Sequence, residues 1–223
     1  MNKQHRRSFI STAVLASSLV LVHALPAFQQ NDEWSKRDRW QRPEEVMDAL
    51  GILPGSAVAD VGCGKGYFVF HLARRVGPAG IVYGVDTDKI TMGELRQRIA
   101  DEKLDQVHII NNKKDDPMLP AASQDSGLDA VLIVNAYHEM REYDAMLRAL
   151  FAAMKPGGRL AIIDAPGKDD VSRPTHHSDH TISESLVLDD ASRNGFRLRS
   201  RESGFDHTEP GRSYWFFLLF EKP

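Results

Sequence analysis

The sequence contains a single cysteine, Cys63, among 223 residues, so no disulfide can form within the chain. It also lacks a basic excess, because 28 Lys and Arg face 31 Asp and Glu, for a formal net charge of −3. A mildly acidic chain without a basic run argues against nucleic acid as the main partner. Internal repeats and low-complexity tracts are absent as well. With 42% hydrophobic residues, the chain is expected to form one globular domain.

The apolar segment from Phe9 to Leu25 is too short, and too rich in Ser and Ala, for a stable membrane span. Arg6-Arg7 precedes it, and small residues follow as far as Ala27. The Arg-Arg-Ser-Phe start resembles the twin-arginine export motif, with an ordinary secretory signal as the alternative. We therefore predict that residues 1–27 are an export signal and that the protein is periplasmic. Cell fractionation would test this prediction, which leaves cleavage of the signal open.

Beyond a polar segment over residues 28–42, predicted helices and strands alternate along the chain. The predicted strands cover residues 57–62, 80–86, 107–112, 128–138 and 159–166. The predicted helices cover residues 43–51, 67–77, 88–103, 141–154 and 181–194. This alternation predicts a mostly parallel α/β sheet with helices on both faces. Two further segments, 196–202 and 213–222, predict a C-terminal antiparallel hairpin.

The first predicted strand runs into a glycine-rich loop, in the sequence VADVGCGKGYF (58–68). Glycines at 62, 64 and 66 allow the backbone to turn sharply and to approach a ligand closely. The second strand ends in Asp86, whose carboxylate can accept hydrogen bonds from a ribose diol. A dinucleotide fingerprint needs Gly or Ala where this chain has Tyr67, which argues against NAD. A tight turn without a ligand is the alternative for the loop alone.

Four segments in order, VADVGCGKGYF, YGVDTD, LDAVLIVNAYHE and MKPGGRLAIID, resemble the class I S-adenosylmethionine-dependent methyltransferases. The resemblance covers residues 43–166 strongly, and the terminal segment SYWFFLLFEK is similar to the last strands of the family. It implies a Rossmann-like sheet of seven strands in the order 3-2-1-4-5-7-6, within a methyltransferase domain over residues 43–223. It also implies S-adenosylmethionine as the cofactor.

The resemblance further implies a set of cofactor-binding residues along the predicted loops. These residues are Asp60, Gly62, Cys63, Gly64, Gly66, Asp86, Asp115 and Asn135. Asp60 and the glycines would surround the methionine part of the cofactor, and Asp86 would hold its ribose. Asp115 matches the acid that reaches the adenine amino group, and Asn135 lies where the fourth strand passes near the sulfonium.

His138, at the end of the fourth predicted strand, is the candidate catalytic residue. An imidazole is suited to proton transfer at neutral pH, so His138 is expected to act as a base or to orient the acceptor. A histidine that only packs at the start of a helix is the alternative. Methyl transfer otherwise needs mainly the correct position and orientation of the two reactants.

The segment PTHHSDH (174–180) gathers three histidines and one aspartate, which are His176, His177, Asp179 and His180. We predict no metal site there, since a catalytic metal needs three well-placed ligands and this segment reads as a loop. A solvated loop is expected, and a lid that faces the substrate is the alternative. The Asn-Pro-Pro-aromatic signature of amino-group methylation is absent at 135–138, which leaves a small-molecule methyl acceptor.

Three functions compete for this sequence. An S-adenosylmethionine-dependent methyltransferase fits the ordered motifs best. An exported cofactor-binding protein with weak or no turnover is the first alternative, because export separates the chain from cofactor synthesis. An NAD-dependent oxidoreductase is the second alternative. Acceptor identity and oligomeric state do not follow from the sequence.

Overall fold

The computed structural model of the chain describes residues 32–122, 126–205 and 215–223. The export signal predicted over residues 1–27 lies outside these residues. The helices are α1 Asp32–Gln41, α2 Pro43–Ala49, α3 Tyr67–Val76, α4 Lys89–Asp101, α5 Tyr143–Ala153, α6 Arg173–Asp179 and α7 Glu184–Arg193, with a 3-10 turn at Tyr137–Glu139. The strands are β1 Ala57–Val61, β2 Ile81–Asp86, β3 Val107–Asn111, β4 Leu128–Val134, β5 Met154–Asp164, β6 Arg197–Ser203 and β7 Phe216–Glu221.

The seven strands form one sheet in the order β3-β2-β1-β4-β5-β7-β6, as the sequence predicts. Strands β1 to β5 pair in parallel, whereas β7 runs antiparallel to both β5 and β6. Strand order reverses between β1 and β4, where chain connections leave in opposite directions. Ligands of open α/β sheets bind at such a point, outside the carboxyl ends of the strands.

Strand β4 lies in the middle of the sheet and is buried on both of its faces. Val131 and Ile133 are fully buried in the core layer that contains α5 and α7. Ala130 and Leu132 belong to the opposite layer, with α2, α3 and α4. A central parallel strand needs apolar side chains at successive positions, which explains the long apolar run of the sequence.

The fourth strand is shorter than the prediction of 128–138, because it ends at Val134. Asn135 has a left-handed backbone, with φ of 52°, and its N–H donates to the Ile163 carbonyl at 2.8 Å. The chain then enters the 3-10 turn, in which the Tyr137 hydroxyl donates to Asp190 Oδ2 at 2.8 Å. This sharp turn places the residues after β4 above the carboxyl edge of the sheet.

The histidine-rich segment 174–180 is not a loop, and the expectation of one was wrong. It forms most of α6, and His176 on this helix is only 1% exposed. Ser172 lies at the amino end of α6 and Pro174 in its first turn, which is a common arrangement for starting a helix. The helix ends at His180, whose left-handed backbone, with φ of 53°, stops the helical path.

The polar segment 28–42 contains α1, which the sequence analysis did not predict. Trp34 on this helix is buried, and its ring lies 5.5 Å from both the Tyr67 and Phe70 rings, centroid to centroid. Trp40 contacts Trp215 at a centroid separation of 5.3 Å. Two aromatic anchors therefore hold a mostly polar helix against the domain. Within the described residues, none of the helices combines the length and apolar character needed to cross a membrane.

Candidate active site

The glycine-rich loop after β1 adopts a backbone that side chains would obstruct. Gly62 has φ of 79°, and a Cβ atom there would lie 2.3 Å from the Cβ of Ala136. Gly64 also has a positive φ, of 50°, but a Cβ there would meet no atom within 4 Å. Gly66 precedes α3, and a Cβ there would meet Leu95 at 2.5 Å. Gly62 and Gly66 therefore permit close packing of the loop, whereas the space beside Gly64 is open.

Asp86 fixes this loop from the end of β2. Its Oδ2 atom accepts a hydrogen bond from the Gly64 N–H at 2.9 Å, and its Oδ1 atom accepts one from the Asp88 N–H at 3.0 Å. Each carboxylate oxygen can accept a second hydrogen bond. Asp86 can therefore hold the loop and still receive the two hydroxyl groups of a ribose.

A cavity of about 610 Å³ opens between the glycine loop and the ends of β2, β3 and β4. Its lining includes the predicted residues Gly62, Cys63, Gly64, Asp86 and Asn135. Thr87, Asn112 and Lys114 complete the side nearest β3. A nucleoside-sized ligand fits a cavity of this volume.

Asn112, and not the predicted Asp115, lines this cavity. Asp115 is exposed and lies outside the cavity lining. Asn112 lines the cavity, and its Oδ1 atom is buried without a hydrogen-bond partner among the described residues. A buried amide oxygen is costly to leave unpaired, so a ligand amino group at this position would satisfy it.

Asp60 lies near the carboxyl end of β1 and is 3% exposed. Burial raises the pKa of its carboxyl from 3.8 to about 7, against the lowering effect of Arg37, and the charge of Asp86 adds to the rise. The pKa of this carboxyl therefore lies well above the usual range of an aspartate. A cationic ligand group beside it would favour the ionised form.

Arg37 on α1 is a cavity residue that sequence reasoning missed. Its guanidinium lies 4.0 Å from the centroid of the Tyr67 ring, and its Nε donates to Gln41 Oε1 at 2.6 Å. Its positive charge reaches Asp60. Trp34 and Trp40 were the signal in the sequence that could have revealed this helix. Two large aromatic residues in a polar segment indicate that it packs against the domain and is not a linker.

Cys63 is in the cavity lining but is not a reactive thiol. Burial raises the pKa of Cys63 far above its usual value, and the charges of Asp60 and Asp86 raise it further. Its Sγ atom lies 4.0 Å from Met92 Sδ, in the core. The residue therefore contributes shape rather than chemistry.

A second cavity, of about 300 Å³, lies beside the first and shares Met140, Arg141 and His177 with it. The remaining lining comes from the 3-10 turn, α5, α6 and the strand-like segment after it, with Tyr137, His138, Tyr143, Arg173, Pro174 and Ile182. The lining of this cavity is mostly apolar and aromatic. The arrangement suits two ligands that meet at a shared wall, one in each cavity.

His138 lies in the second cavity and is held from behind by Asp164. Its Nδ1 atom is 2.8 Å from Asp164 Oδ1, and its backbone N–H donates to Asp164 Oδ2 at 3.1 Å. Burial lowers the pKa of His138, but the hydrogen bond and charge of Asp164 and the charge of Glu139 outweigh it, so that the pKa is raised. Because Asp164 engages Nδ1, Nε2 is the ring nitrogen that faces Glu139 and His180.

The histidines of α6 and its end occupy three different environments. His176 is buried, with Nδ1 3.4 Å from the Thr181 hydroxyl. His177 lines both cavities, and its Nδ1 atom is buried and has no hydrogen-bond partner among the described residues. His180 approaches His138, with 3.3 Å between its Nδ1 and His138 Nε2. Sequence spacing alone gave no sign of this last contact.

Comparison with known proteins identifies the kind of domain. A family model described as "Methyltransferase domain" matches residues 52–192. The demethylmenaquinone methyltransferase of Lactococcus lactis is 24% identical over 150 residues, which are 67% of this chain and 55% of that protein. A demethylmenaquinone methyltransferase of Listeria monocytogenes is 29% identical over 126 residues, 56% of this chain and 51% of that protein. The chain thus spans about half the length of the curated relatives it matches.

Solved structures share the same architecture. A SAM dependent methyltransferase from Aquifex aeolicus superposes with a TM-score of 0.68 at 23% identity, over 86% of this chain and 97% of that one. Geranyl diphosphate C-methyltransferase from Streptomyces coelicolor, solved with S-adenosyl-L-homocysteine, superposes with a TM-score of 0.68 at 14% identity. The match covers 91% of this chain and 89% of that one. At these identities the likeness concerns the fold.

Proposed function

The chain belongs to the methyltransferase domain family, whose model matches residues 52–192, and we propose that it is an S-adenosylmethionine-dependent methyltransferase of a small molecule. The 610 Å³ cavity is the observation that carries the proposal, because it brings the glycine loop, Asp86 and the unpaired Asn112 oxygen to one place. These groups match a methionine tail, a ribose and an adenine in that order.

Each part of the cofactor has a matching group in this chain. Arg37 is proposed to pair with the carboxylate of the methionine tail, and Asp60 with its ammonium group. Asp86 is proposed to receive the ribose hydroxyls, and Asn112 the adenine amino group. The loop at Gly62 is close enough to Ala136 to bring the tail against the end of β4.

The acceptor is proposed to bind in the 300 Å³ cavity. When bound, S-adenosylmethionine supplies a methyl group on a positively charged sulfur, which is already activated for transfer. The chain therefore has to hold the acceptor in line, exclude water and receive a proton where the acceptor carries one. Tyr137 and Tyr143 supply apolar surface for the acceptor, and the Nε2 side of His138 is the polar group proposed to face it. Demethylmenaquinone, the compound named for the curated relatives, is a first acceptor to assay.

Calorimetric titration of the chain tests the cofactor class. S-adenosylmethionine and S-adenosylhomocysteine should bind with about one ligand per chain, whereas NAD should not bind at the same concentrations. Binding of NAD in place of S-adenosylhomocysteine would refute the proposal. Methyl transfer from labelled S-adenosylmethionine into a cell extract then separates an enzyme from a cofactor-binding protein.

Asp86→Ala should weaken binding of S-adenosylhomocysteine by about 1.5–3 kcal/mol, the usual scale for a hydrogen bond to a charged group. Asp88→Ala is the matched control. Asp88 is the adjacent exposed carboxylate and caps α4 through the Ile90 N–H at 2.9 Å. Its loss should lower stability through the missing helix cap and leave affinity unchanged. Equal affinities for wild type and Asp86→Ala would remove Asp86 from the site.

A further inference from the structure

Three side chains from two parts of the chain converge beside the two cavities. His138 Nε2 lies 3.3 Å from His180 Nδ1 and 3.7 Å from Glu139 Oε1. His180 Nδ1 lies 3.8 Å from the same Glu139 oxygen. The three potential ligand atoms thus form a nearly equilateral triangle. Within the described residues, this is the group of His, Cys, Asp and Glu side chains close enough to hold a metal ion.

The shortest edge of this triangle has the length found between two ligands of a zinc ion. Two nitrogens that each lie about 2.05 Å from a tetrahedral zinc ion are separated by about 3.3 Å. Two imidazoles joined by a direct hydrogen bond would be expected to have an N···N distance of about 3.0 Å. The edge between the two histidines therefore has the length expected for two zinc ligands, and the edges to Glu139 Oε1, at 3.7 and 3.8 Å, would have to shorten by about 0.4 Å around an ion.

The first ligand is already oriented by a neighbouring carboxylate. Asp164 is fully buried and accepts from His138 Nδ1 at 2.8 Å, so that the proton resides on Nδ1 and the Nε2 lone pair faces the triangle. A carboxylate behind a histidine ligand is the usual supporting arrangement of metal sites, where it fixes the tautomer and the ring. The backbone N–H of His138 also donates to Asp164, at 3.1 Å.

The other two ligands leave room for further coordination. The side chains of Glu139 and His180 are 59% and 72% exposed, whereas that of His138 is 1% exposed. His180 reaches the triangle from the left-handed position that ends α6. Glu139 lines the cofactor cavity and His138 lines the second cavity, so the triangle lies where the two meet.

We propose that His138 Nε2, Glu139 and His180 Nδ1 bind one divalent metal ion, with zinc as the best fit, at the boundary of the two cavities. Two imidazoles and one carboxylate are a donor set that zinc uses in catalytic sites, with open positions for water or substrate. The role of the ion rests on the proposed function: it orients an acceptor that offers a hydroxyl or carbonyl oxygen. This inference replaces the sequence-based expectation that the chain has no metal site.

The test is titration of the full chain with zinc chloride, without cofactor, using protein made without a polyhistidine tag. Wild type should bind about one equivalent. His180→Asn and Glu139→Gln should each weaken binding by at least about a hundredfold, since even supporting residues contribute about 10–100-fold. Asn tolerates the left-handed backbone at position 180, which keeps the end of α6 intact. Cobalt in place of zinc should give the visible absorption of a tetrahedral site in wild type alone.

His108→Ala, which removes an exposed histidine of β3, is the matched control and should bind zinc as wild type does. Failure of wild type to bind zinc, or equal binding by the two site variants, overturns the inference. Titration with S-adenosylhomocysteine on the same samples separates it from the proposed function. Zinc binding without cofactor binding would support the metal site and refute the proposed cofactor. Cofactor binding without zinc binding would refute the metal site and leave the proposed function supported.

Discussion

Gly62→Ala should abolish cofactor binding and reduce the free energy of unfolding by about 2–5 kcal/mol, the combined scale of a left-handed residue with a side chain and an overpacked contact. The new methyl group would lie 2.3 Å from the Cβ of Ala136. Backbone must move to relieve this contact, because both atoms are attached directly to the main chain. The movement separates the glycine loop from the end of β4, and both segments line the cavity. Chemical denaturation and S-adenosylhomocysteine titration measure the two effects.

Two controls isolate the cause of this effect. Gly64→Ala introduces the same methyl group at φ of 50° but with no atom within 4 Å, so it should cost only about 1–2 kcal/mol of stability. Ala136→Gly in the Gly62→Ala background removes the opposing methyl group and should restore part of the lost stability. Equal destabilisation by the two alanine variants, together with no rescue, would contradict the close approach of the loop to Ala136.

Asp60→Asn should stabilise the ligand-free protein, and more so at high pH. The pKa of Asp60 is raised from 3.8 in the unfolded chain to about 7 in the folded protein. The folded state therefore binds the proton more tightly, and its stability falls as pH rises from about 4 through 7. A shift of this size corresponds to about 4 kcal/mol above pH 7, at 1.36 kcal/mol for each pH unit. The variant lacks this penalty.

The measurement compares the unfolding free energies of wild type and Asp60→Asn at pH 5 and pH 8. The advantage of the variant should grow by roughly 2–3 kcal/mol between these values, by the same linkage. Affinity for S-adenosylmethionine should rise with pH in wild type, because a cationic ligand favours the ionised carboxyl, and should lose this dependence in the variant. An advantage that is equal at both pH values would show that Asp60 titrates as an ordinary carboxyl.

Arg37→Gln is the companion variant, since the charge of Arg37 lowers the pKa of Asp60. Without that charge, the pKa of Asp60 in the folded protein should rise further. The decline in stability should therefore begin at the same pH, set by the unfolded chain, and continue to a higher pH than in wild type. Affinity for the cofactor should fall at every pH, because the proposed partner of its carboxylate is gone. A variant with wild-type affinity throughout would remove Arg37 from the proposed site.

The order of elements from α2 to β5 was predictable because each of these helices and strands has a strong local signature. The run AVLIV (130–134) is apolar at successive positions, as a strand buried on both faces requires, and it forms most of β4. The glycine loop and Asp86 were also predictable, since the ends of adjacent parallel strands converge whatever the details of the core. The confirmed strand order follows from the resemblance to the methyltransferases rather than from periodicity, which does not specify it.

The residues that sequence reasoning missed depend on long-range contacts. Arg37 reaches the cavity because Trp34 docks α1 against Tyr67, some thirty residues away in sequence. His180 meets His138 because α6 ends in a left-handed residue, and no local pattern specifies the direction that follows. Asp115 was predicted to contact the adenine amino group because of its place in a family motif. The path of the loop after β3 brings Asn112 to the cavity instead.

Strand β6 forms one edge of the sheet. It is the edge strand beside β7, and all seven of its residues are exposed. Such a border offers free backbone groups to any extended segment of another molecule. Here Arg197, Arg199 and Arg201 stand along it, two of them paired with Glu221 and the third with Glu184. An identical strand arriving alongside would bring its own arginines against these, and like charges across neighbouring strands repel. Charged side chains along an edge strand therefore oppose the addition of a second, identical strand.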